Sequence, residues 1–245
     1  MNKIKKIRLD DFLVFQDILK KELILPYVIE GNIYINDQKA TSVAQLVDMS
    51  VRITIKDTTK KYVGRGSLKL EEALNKFKVD VSDFVCVDFG ASTGGFTDVL
   101  LQQGSKKVYA VETGRNVLDH KLRMNSKVVN LEGVSLFKLD IFKEKIDLSV
   151  VDLSFIPLSH SLKHISYITN NAPIIALLKP HYEAQDESLL RKGVVKDSIT
   201  LKSILNNFKN WLFLNNFRLL EIIESPIKGG GGNIEYLVHI IIMQH

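Results

Sequence analysis

The sequence predicts a doubly wound α/β domain of seven strands, preceded by a small α+β unit. Beyond residue 80, short apolar runs alternate with amphipathic helical segments, the rhythm of a sheet covered by helices on both faces. Residues 1 to about 58 instead hold two helical stretches followed by brief alternating runs. The composition suits such a chain: 245 residues, 45% hydrophobic and 25% charged, with 14 Gly and 5 Pro, exclude disordered, collagenous and disulfide-built proteins.

In the first unit, apolar residues recur at helical spacing from Asp11 to Leu19 (Phe12, Leu13, Phe15, Ile18, Leu19) and from Lys21 to Ile29 (Leu23, Ile24, Leu25, Val28, Ile29). Gly31 closes the second stretch. Ile33-Tyr34-Ile35, a turn at Asn36-Asp37 and alternating Val51, Ile53 and Ile55 read as short strands. So small a module, residues 1–58, removes little apolar surface from water and is expected to lean on the rest of the chain.

In the second domain, residues 59–245, strands are expected over Phe84 to Phe89, Lys107 to Glu112, Lys127 to Leu131, Ile146 to Asp152, Ile174 to Leu178, Arg218 to Glu224 and Glu235 to Met243. Helices are expected over Leu68 to Lys76, Phe96 to Gln103, Asn116 to Met124, Ser159 to Tyr167 and Thr200 to Asn215. Ligands of such a Rossmann-like sheet bind at the carboxyl ends of its strands.

Charge is unevenly placed. Of 33 basic and 28 acidic residues, residues 1 to 78 hold 15 and 10, which leaves 18 of each beyond. The excess therefore sits in the first third, densest at Lys60, Lys61, Arg65, Lys69, Lys76 and Lys78. A polyanion partner such as RNA is one reading and a solvated basic face the other. The single cysteine, Cys86, lies in an apolar run and reads as a small buried hydrophobe. Apolar runs such as Ala172 to Leu178 and Tyr236 to Met243 are far shorter than the roughly 18 residues of a membrane span, and Lys3, Lys5 and Lys6 are not followed by the apolar core of a signal peptide. A soluble, cytoplasmic protein is expected.

The main chemical signal is Val85-Cys-Val-Asp-Phe-Gly-Ala-Ser-Thr-Gly-Gly-Phe-Thr-Asp98, an apolar strand, a glycine-bearing turn and a helix start. Gly90, Gly94 and Gly95 are expected to let the backbone approach a ligand closely, with the following helix N-terminus offering free N–H groups, and Ser92, Thr93 and Phe96 are counted with them as cofactor-binding. The dinucleotide fingerprint needs glycine two residues after Gly90, where Ser92 stands. Asp88 disfavours pyrophosphate and suits a cationic ligand such as S-adenosylmethionine. Glu112 ends the second strand, where an acid accepts from ribose hydroxyls, and Asp140 in the next loop is placed to accept from an adenine amino group. Gly90-Ala-Ser-Thr-Gly94 also satisfies the nucleophile-elbow pattern, but no acid or histidine downstream singles itself out to complete a triad with Ser92.

Several further motifs accompany this loop: Arg8-Leu-Asp10, Gly64-Arg-Gly-Ser-Leu-Lys-Leu-Glu-Glu-Ala-Leu74, Val151-Asp-Leu-Ser-Phe-Ile156, Leu178-Lys-Pro-His-Tyr-Glu-Ala184, Ser225-Pro-Ile227 and Gly232-Asn-Ile-Glu-Tyr236. In this order the chain resembles the hemolysin A-like family of two-domain 2′-O-ribose RNA methyltransferases, whose catalytic domain is related to FtsJ. The resemblance implies S-adenosylmethionine as cofactor, ribosomal RNA or ribosomal subunits as partner, a cytidine as the target, and an N-terminal alpha-L RNA-binding module. It implies a Lys-Asp-Lys-Glu catalytic set at Lys69, Asp152, Lys179 and Glu235. A base must take the proton of the ribose hydroxyl; Lys179 is expected in that role, with Asp152 holding it and Lys69 and Glu235 positioning the ribose. RNA contacts are expected from Arg8, Lys20, Lys21, Lys60, Lys61 and Arg65.

The chain departs from the family pattern at Lys20-Lys21, where the family has Ser-Arg, and at Asp37, where it has glycine. Ser135 and Phe137 replace Asn and Arg, and His181 and Tyr182 replace Gln and Phe. These bear on substrate choice rather than chemistry. His160 and His164, spaced i,i+4, lack a third ligand, so no metal is expected. Trp211 and Phe213 read as core or as base-stacking residues, and Gly229 to Gly232 as a lid or a plain hairpin loop. The rival readings are an RNA-binding protein with a vestigial cofactor site and a membrane-active hemolysin, for which no segment is long enough to span a bilayer.

Overall fold

The computed structural model describes residues 6–19, 21–29, 31–55, 62–184 and 186–243, the side chains of residues 22, 23, 26, 29 and 187 left aside. Lys20, Lys60 and Lys61 fall outside the described residues. Two compact units divide the chain, Met1–Lys61 and Tyr62–His245.

The first unit runs β1 (Lys6–Arg8), α1 (Leu9–Phe15), α2 (Lys21–Ile29), β2 (Ile33–Ile35), β3 (Gln38–Lys39), β4 (Leu46–Asp48) and β5 (Ile53–Ile55). Helix α1 stops short of Leu19 because Asp17 turns to a positive φ of 53°. Strand β1 pairs antiparallel with β4, and β2 lies between β3 and β5. Asn36 and Asp37 both have positive φ, 46° and 68°, which makes the two-residue turn of the β2–β3 hairpin. Asp tolerates that backbone, so the turn survives without the glycine of the family pattern. Leu9, Phe12, Leu13, Ile24, Ile33 and Val47 form the core of this unit.

The second unit contains α3 (Ser67–Phe77), β6 (Val85–Phe89), α4 (Gly95–Gln102), β7 (Lys107–Glu112), α5 (His120–Arg123), β8 (Val128–Glu132), β9 (Leu148–Val151), α6 (Leu158–Ile168), β10 (Ile174–Leu178) and α7 (Pro180–Glu183). It continues through β11 (Leu190–Arg191), β12 (Val194–Val195), α8 (Ser198–Leu214), β13 (Phe217–Glu224) and β14 (Tyr236–Ile242). Seven strands form one sheet in the order β13-β14-β10-β9-β6-β7-β8, with β14 antiparallel to both neighbours. Alternation along the strands feeds two cores. Val85, Val87 and Phe89 join one with Leu162, Ile165, Phe208 and Leu212 of α6 and α8. Cys86 joins the other with Leu70, Leu74, Val99 and Leu100 of α3 and α4. Burial pushes the Cys86 thiol up to about 12, so it stays protonated and inert.

The helix expected over Asn116 to Met124 contracts to the single turn of α5. Asn116 takes φ 58°, and the Glu132 carboxylate accepts from the Val117 and Leu118 N–H groups at 2.6 and 3.0 Å, drawing off donors an earlier helical turn would use. The β11–β12 hairpin, α7 and the paired strands β1 and β4 are too short to leave a periodic signature.

Candidate active site

Sheet register brings three of the four expected catalytic residues to one rim. Leu178 of β10 pairs with Tyr236 of the antiparallel β14, so Lys179, one step past β10, emerges beside Glu235, one step before β14. Val151 of β9 pairs with Ala176 of β10 and Phe89 of β6, which delivers Asp152 to the same edge. Helix α3 supplies the fourth, Lys69.

These groups form two ion pairs. Lys69 Nζ lies 2.6 Å from Glu235 Oε2, and Lys179 Nζ lies 2.7 Å from Asp152 Oδ1. Lys69, Glu235 and Lys179 are 8%, 3% and 9% exposed. Burying such pairs costs about as much desolvation free energy as the Coulomb attraction returns, so fold stability alone gives little reason for them. Lys179 also donates to Ser154 Oγ at 3.1 Å. Lys179 Nζ is thus shared between the Asp152 carboxylate, as an ion pair, and the Ser154 hydroxyl, as a hydrogen bond. The Tyr182 ring lies 5.9 Å from Lys179 Nζ and stacks at a tilt on His181, 4.1 Å between centroids. His181 Nδ1 is buried without a hydrogen-bond partner. Burial holds its imidazole below the ordinary range, Glu235 opposes that and Lys179 adds to it, so His181 faces both ion pairs.

The loop before β14 fixes Glu235. Asn233, 3% exposed, donates through Nδ2 to the carbonyls of Gly193 and Gly230 at 3.0 and 3.1 Å and accepts from Val195 N at 3.3 Å. It thereby ties the glycine loop to the β11–β12 hairpin. A Cβ at Gly229 would overlap the Glu235 carboxylate, although Gly229 has an ordinary φ of −75°.

Beside the ion pairs, at the ends of β6, β7 and β9, lies a cavity of about 260 Å³. Gly90, Ser92, Glu112, Leu136, Asp152 and Phe155 are among its lining residues. Glu112 accepts from Ser92 N at 2.9 Å, Gly114 N at 2.7 Å and Thr113 Oγ1 at 3.1 Å, yet keeps lone pairs for further donors. Two carboxylates, apolar walls and no lysine or arginine among the described lining residues fit a cationic nucleoside such as S-adenosylmethionine and repel a pyrophosphate.

Several expected cofactor residues stand elsewhere. Asp88 is fully buried beneath the loop, accepting from Thr97 Oγ1 at 2.7 Å, with its other oxygen unpartnered. Burial, with Asp152 and Glu112 nearby, pushes its carboxyl up to about 7. Its place follows from alternation: Asp88 shares the face of Cys86, toward α4. Gly94, at φ 98°, leaves room for Leu118 and Leu122 rather than for a ligand, and Gly95 lets α4 approach the Ser67 backbone. Gly90, at φ 85°, makes space for the Asp152 carbonyl, which a Cβ would meet at 2.5 Å. Thr93 and Phe96 lie off the cavity lining, as does Asp140, which is exposed. No side chain caps the N-terminus of α4. Ser92 spends its N–H on Glu112, and no triad forms around it. His164 Nε2 contacts the Leu136 carbonyl at 2.9 Å, and the described residues contain no group of three potential metal ligands.

Arg8, Lys21 and Arg65 are exposed, and Arg8 pairs with Asp10 at 2.6 Å. Among the described residues, no helix is long and apolar enough to cross a membrane. Sequence reading missed Ser154, Asn233 and Gly229 as supports of the site. The first two lie inside the quoted motifs, where a polar residue beside a catalytic one was the available signal.

The same fold recurs in known proteins. Hemolysin A of Brachyspira hyodysenteriae is 37% identical over 228 residues, 88% of this chain and 91% of that protein. The 23S rRNA (cytidine-2′-O)-methyltransferase TlyA of Campylobacter jejuni is 34% identical over 185 residues, 74% of this chain and 71% of that one. A hemolysin-designated structure from Streptococcus thermophilus superimposes with TM-score 0.75 at 33% identity, covering 98% of this chain and 90% of that one. The family model of FtsJ-like methyltransferases matches residues 62–241, spanning every strand of the large sheet up to Ile241, and the chain belongs to that family.

Proposed function

We propose that the protein transfers a methyl group from S-adenosylmethionine to a ribose 2′-hydroxyl of ribosomal RNA, at a cytidine. The carrying observation is the pair of buried contacts, Lys69–Glu235 and Lys179–Asp152, on one rim beside an acid-lined cavity. The Campylobacter relative is named for this reaction on 23S rRNA. When bound, the cofactor supplies an electrophilic methyl group. Glu112 would accept from its ribose hydroxyls, Asp152 would complement its positive charge, and Gly90 and Ser92 would form the wall. Asp88 supports this loop from below.

Lys179 takes the proton of the 2′-hydroxyl on Nζ. Asp152 and Ser154 orient its amine so that the lone pair meets the hydroxyl. Lys69 and Glu235, locked together, position the ribose: one donates and the other accepts. The N-terminal unit, residues 1–58, acts as an alpha-L RNA-binding module, docking the substrate through Arg8, Lys20 and Lys21, with Lys60, Lys61 and Arg65 from the segment that follows. A protein working on ribosomal RNA belongs in the cytoplasm.

The test is transfer of labelled methyl to ribosomal subunits from an unmodified strain, with Lys179→Ala alongside. Loss of the base should lower turnover by about 10²–10⁴-fold while cofactor affinity by calorimetry holds. Near-full turnover of the variant would remove Lys179 from the base role. Cofactor binding without transfer to any RNA would leave a binding protein with a vestigial site.

A further inference from the structure

A second, larger hollow of about 580 Å³ opens between α6, α7 and α8, outside the cofactor cavity. Its walls are Phe208 and Trp211 of α8 and Tyr182 and Glu183 of α7, with Ser203 and Asn207 along the open side. Trp211 is braced on Phe217, with rings 5.9 Å apart and 19° from parallel. Tyr182 belongs to both places, because its ring also lies 5.9 Å from Lys179 Nζ. Tyr182 is thus the wall shared by the hollow and the catalytic rim.

The lining chemistry selects among the parts of an RNA. Glu183 and Asp186 line the hollow, and the described lining residues include no lysine or arginine, so a phosphate is repelled. Aromatic and aliphatic walls suit a flat heteroaromatic ring. Glu183 is held by Ser159, whose hydroxyl donates at 2.7 Å and whose N–H donates at 3.3 Å, and each carboxylate oxygen keeps a lone pair for an exocyclic amino group. We propose that this hollow is a second nucleobase subsite, receiving a base adjacent to the methylated nucleotide. The proposal rests on the RNA-methylation reading and deepens it: the hollow would choose the sequence context while the Lys179 rim performs the reaction.

Trp211 is the only tryptophan in the chain, so its emission reports the hollow directly. The full-length protein is titrated with a short oligocytidylate and with an abasic ribose-phosphate oligomer of equal length and charge. Saturable quenching by the first and none by the second is expected. Ser203→Phe, an exposed position outside the catalytic set, fills the hollow; it should weaken quenching and raise KM for ribosomal RNA about tenfold, with kcat and cofactor affinity unchanged. Asn207→Ala, which only removes an amide, should shift both readouts in the same direction by less. Equal quenching by the abasic oligomer, or an unchanged KM in both variants, overturns the subsite. So does quenching by an arginine-rich peptide where oligocytidylate gives none, which would assign the hollow to a protein side chain. Failure of the underlying reading looks different: no ribosomal RNA is methylated by the wild type, while oligocytidylate still quenches Trp211 and the abasic oligomer does not.

Discussion

In the loop after β6, Gly90 and Gly94 hold φ angles of 85° and 98°, and a Cβ on either would press into neighbouring chain. In the loop before β14, Gly230 and Gly232 have nothing within 4 Å of a Cβ, and the three atoms nearest a Cβ at Gly229, whose φ is ordinary, all belong to the Glu235 side chain. The first loop therefore needs glycine to fold. In the second the left-handed Gly232 faces open space, and the one close approach, at Gly229, leaves the Glu235 carboxylate where it stands. The same residue type in two loops on one rim answers to packing in one case and to chemistry in the other.

The sharpest way to break this contrast is Gly90→Ala. A left-handed backbone with a Cβ against the Asp152 carbonyl should cost about 3–5 kcal/mol, read as a lower urea midpoint. Wild-type stability would show that the loop has slack and that the contrast is false.

Asp88→Asn probes the acid beneath the same loop. Its carboxyl titrates at about 7 in the folded protein against about 4 when unfolded, so between those values the native state holds the extra proton and stability falls as pH rises. The variant should therefore be more stable than wild type at pH 8, by roughly 4 kcal/mol at most, and equal to it near pH 4. A difference independent of pH would mean that Asp88 is ionised in the fold.

Gly229→Ala should lower kcat about 10–100-fold and lower the urea midpoint less than Gly90→Ala does, because the Glu235 side chain rather than backbone must shift. Equal losses of stability and turnover would place Gly229 with Gly90. The smallest effect is expected from Gly232→Ala, where φ is 87° but space is open: about 1 kcal/mol in stability and no change in turnover.

Much of the large domain was legible because its central strands β6, β9 and β10 are apolar runs buried on both faces. Lys107–Glu112 and Ile174–Leu178 appear with the bounds the pattern predicts. Motif order placed Lys69, Asp152, Lys179 and Glu235, but their pairing is a property of sheet register, which no local spacing contains. The glycines and acids of the first loop were harder. Glycine spacing says that a Cβ is excluded, not what excludes it, and Gly94 turned out to face Leu118 and Leu122. Asp88 looked like a ligand because it ends a strand; counting faces from Cys86 would have sent it inward. Asp140 follows a turn of three residues, Leu136–Lys138, which swings it to solvent.

Strand β14 fills the gap between β10 and β13 and is the last strand of the sheet in chain order. During synthesis, β10 and β13 must each wait with an unpaired edge until the chain beyond Glu235 has been made. Lys69 likewise waits for a partner 166 residues further along. Closing so distant a contact is slow, and open strand edges invite pairing with other chains in the meantime. The protein thus becomes chemically competent and loses its most aggregation-prone edges in the same late step, so a nascent chain halted before Tyr236 would be inert and prone to aggregate.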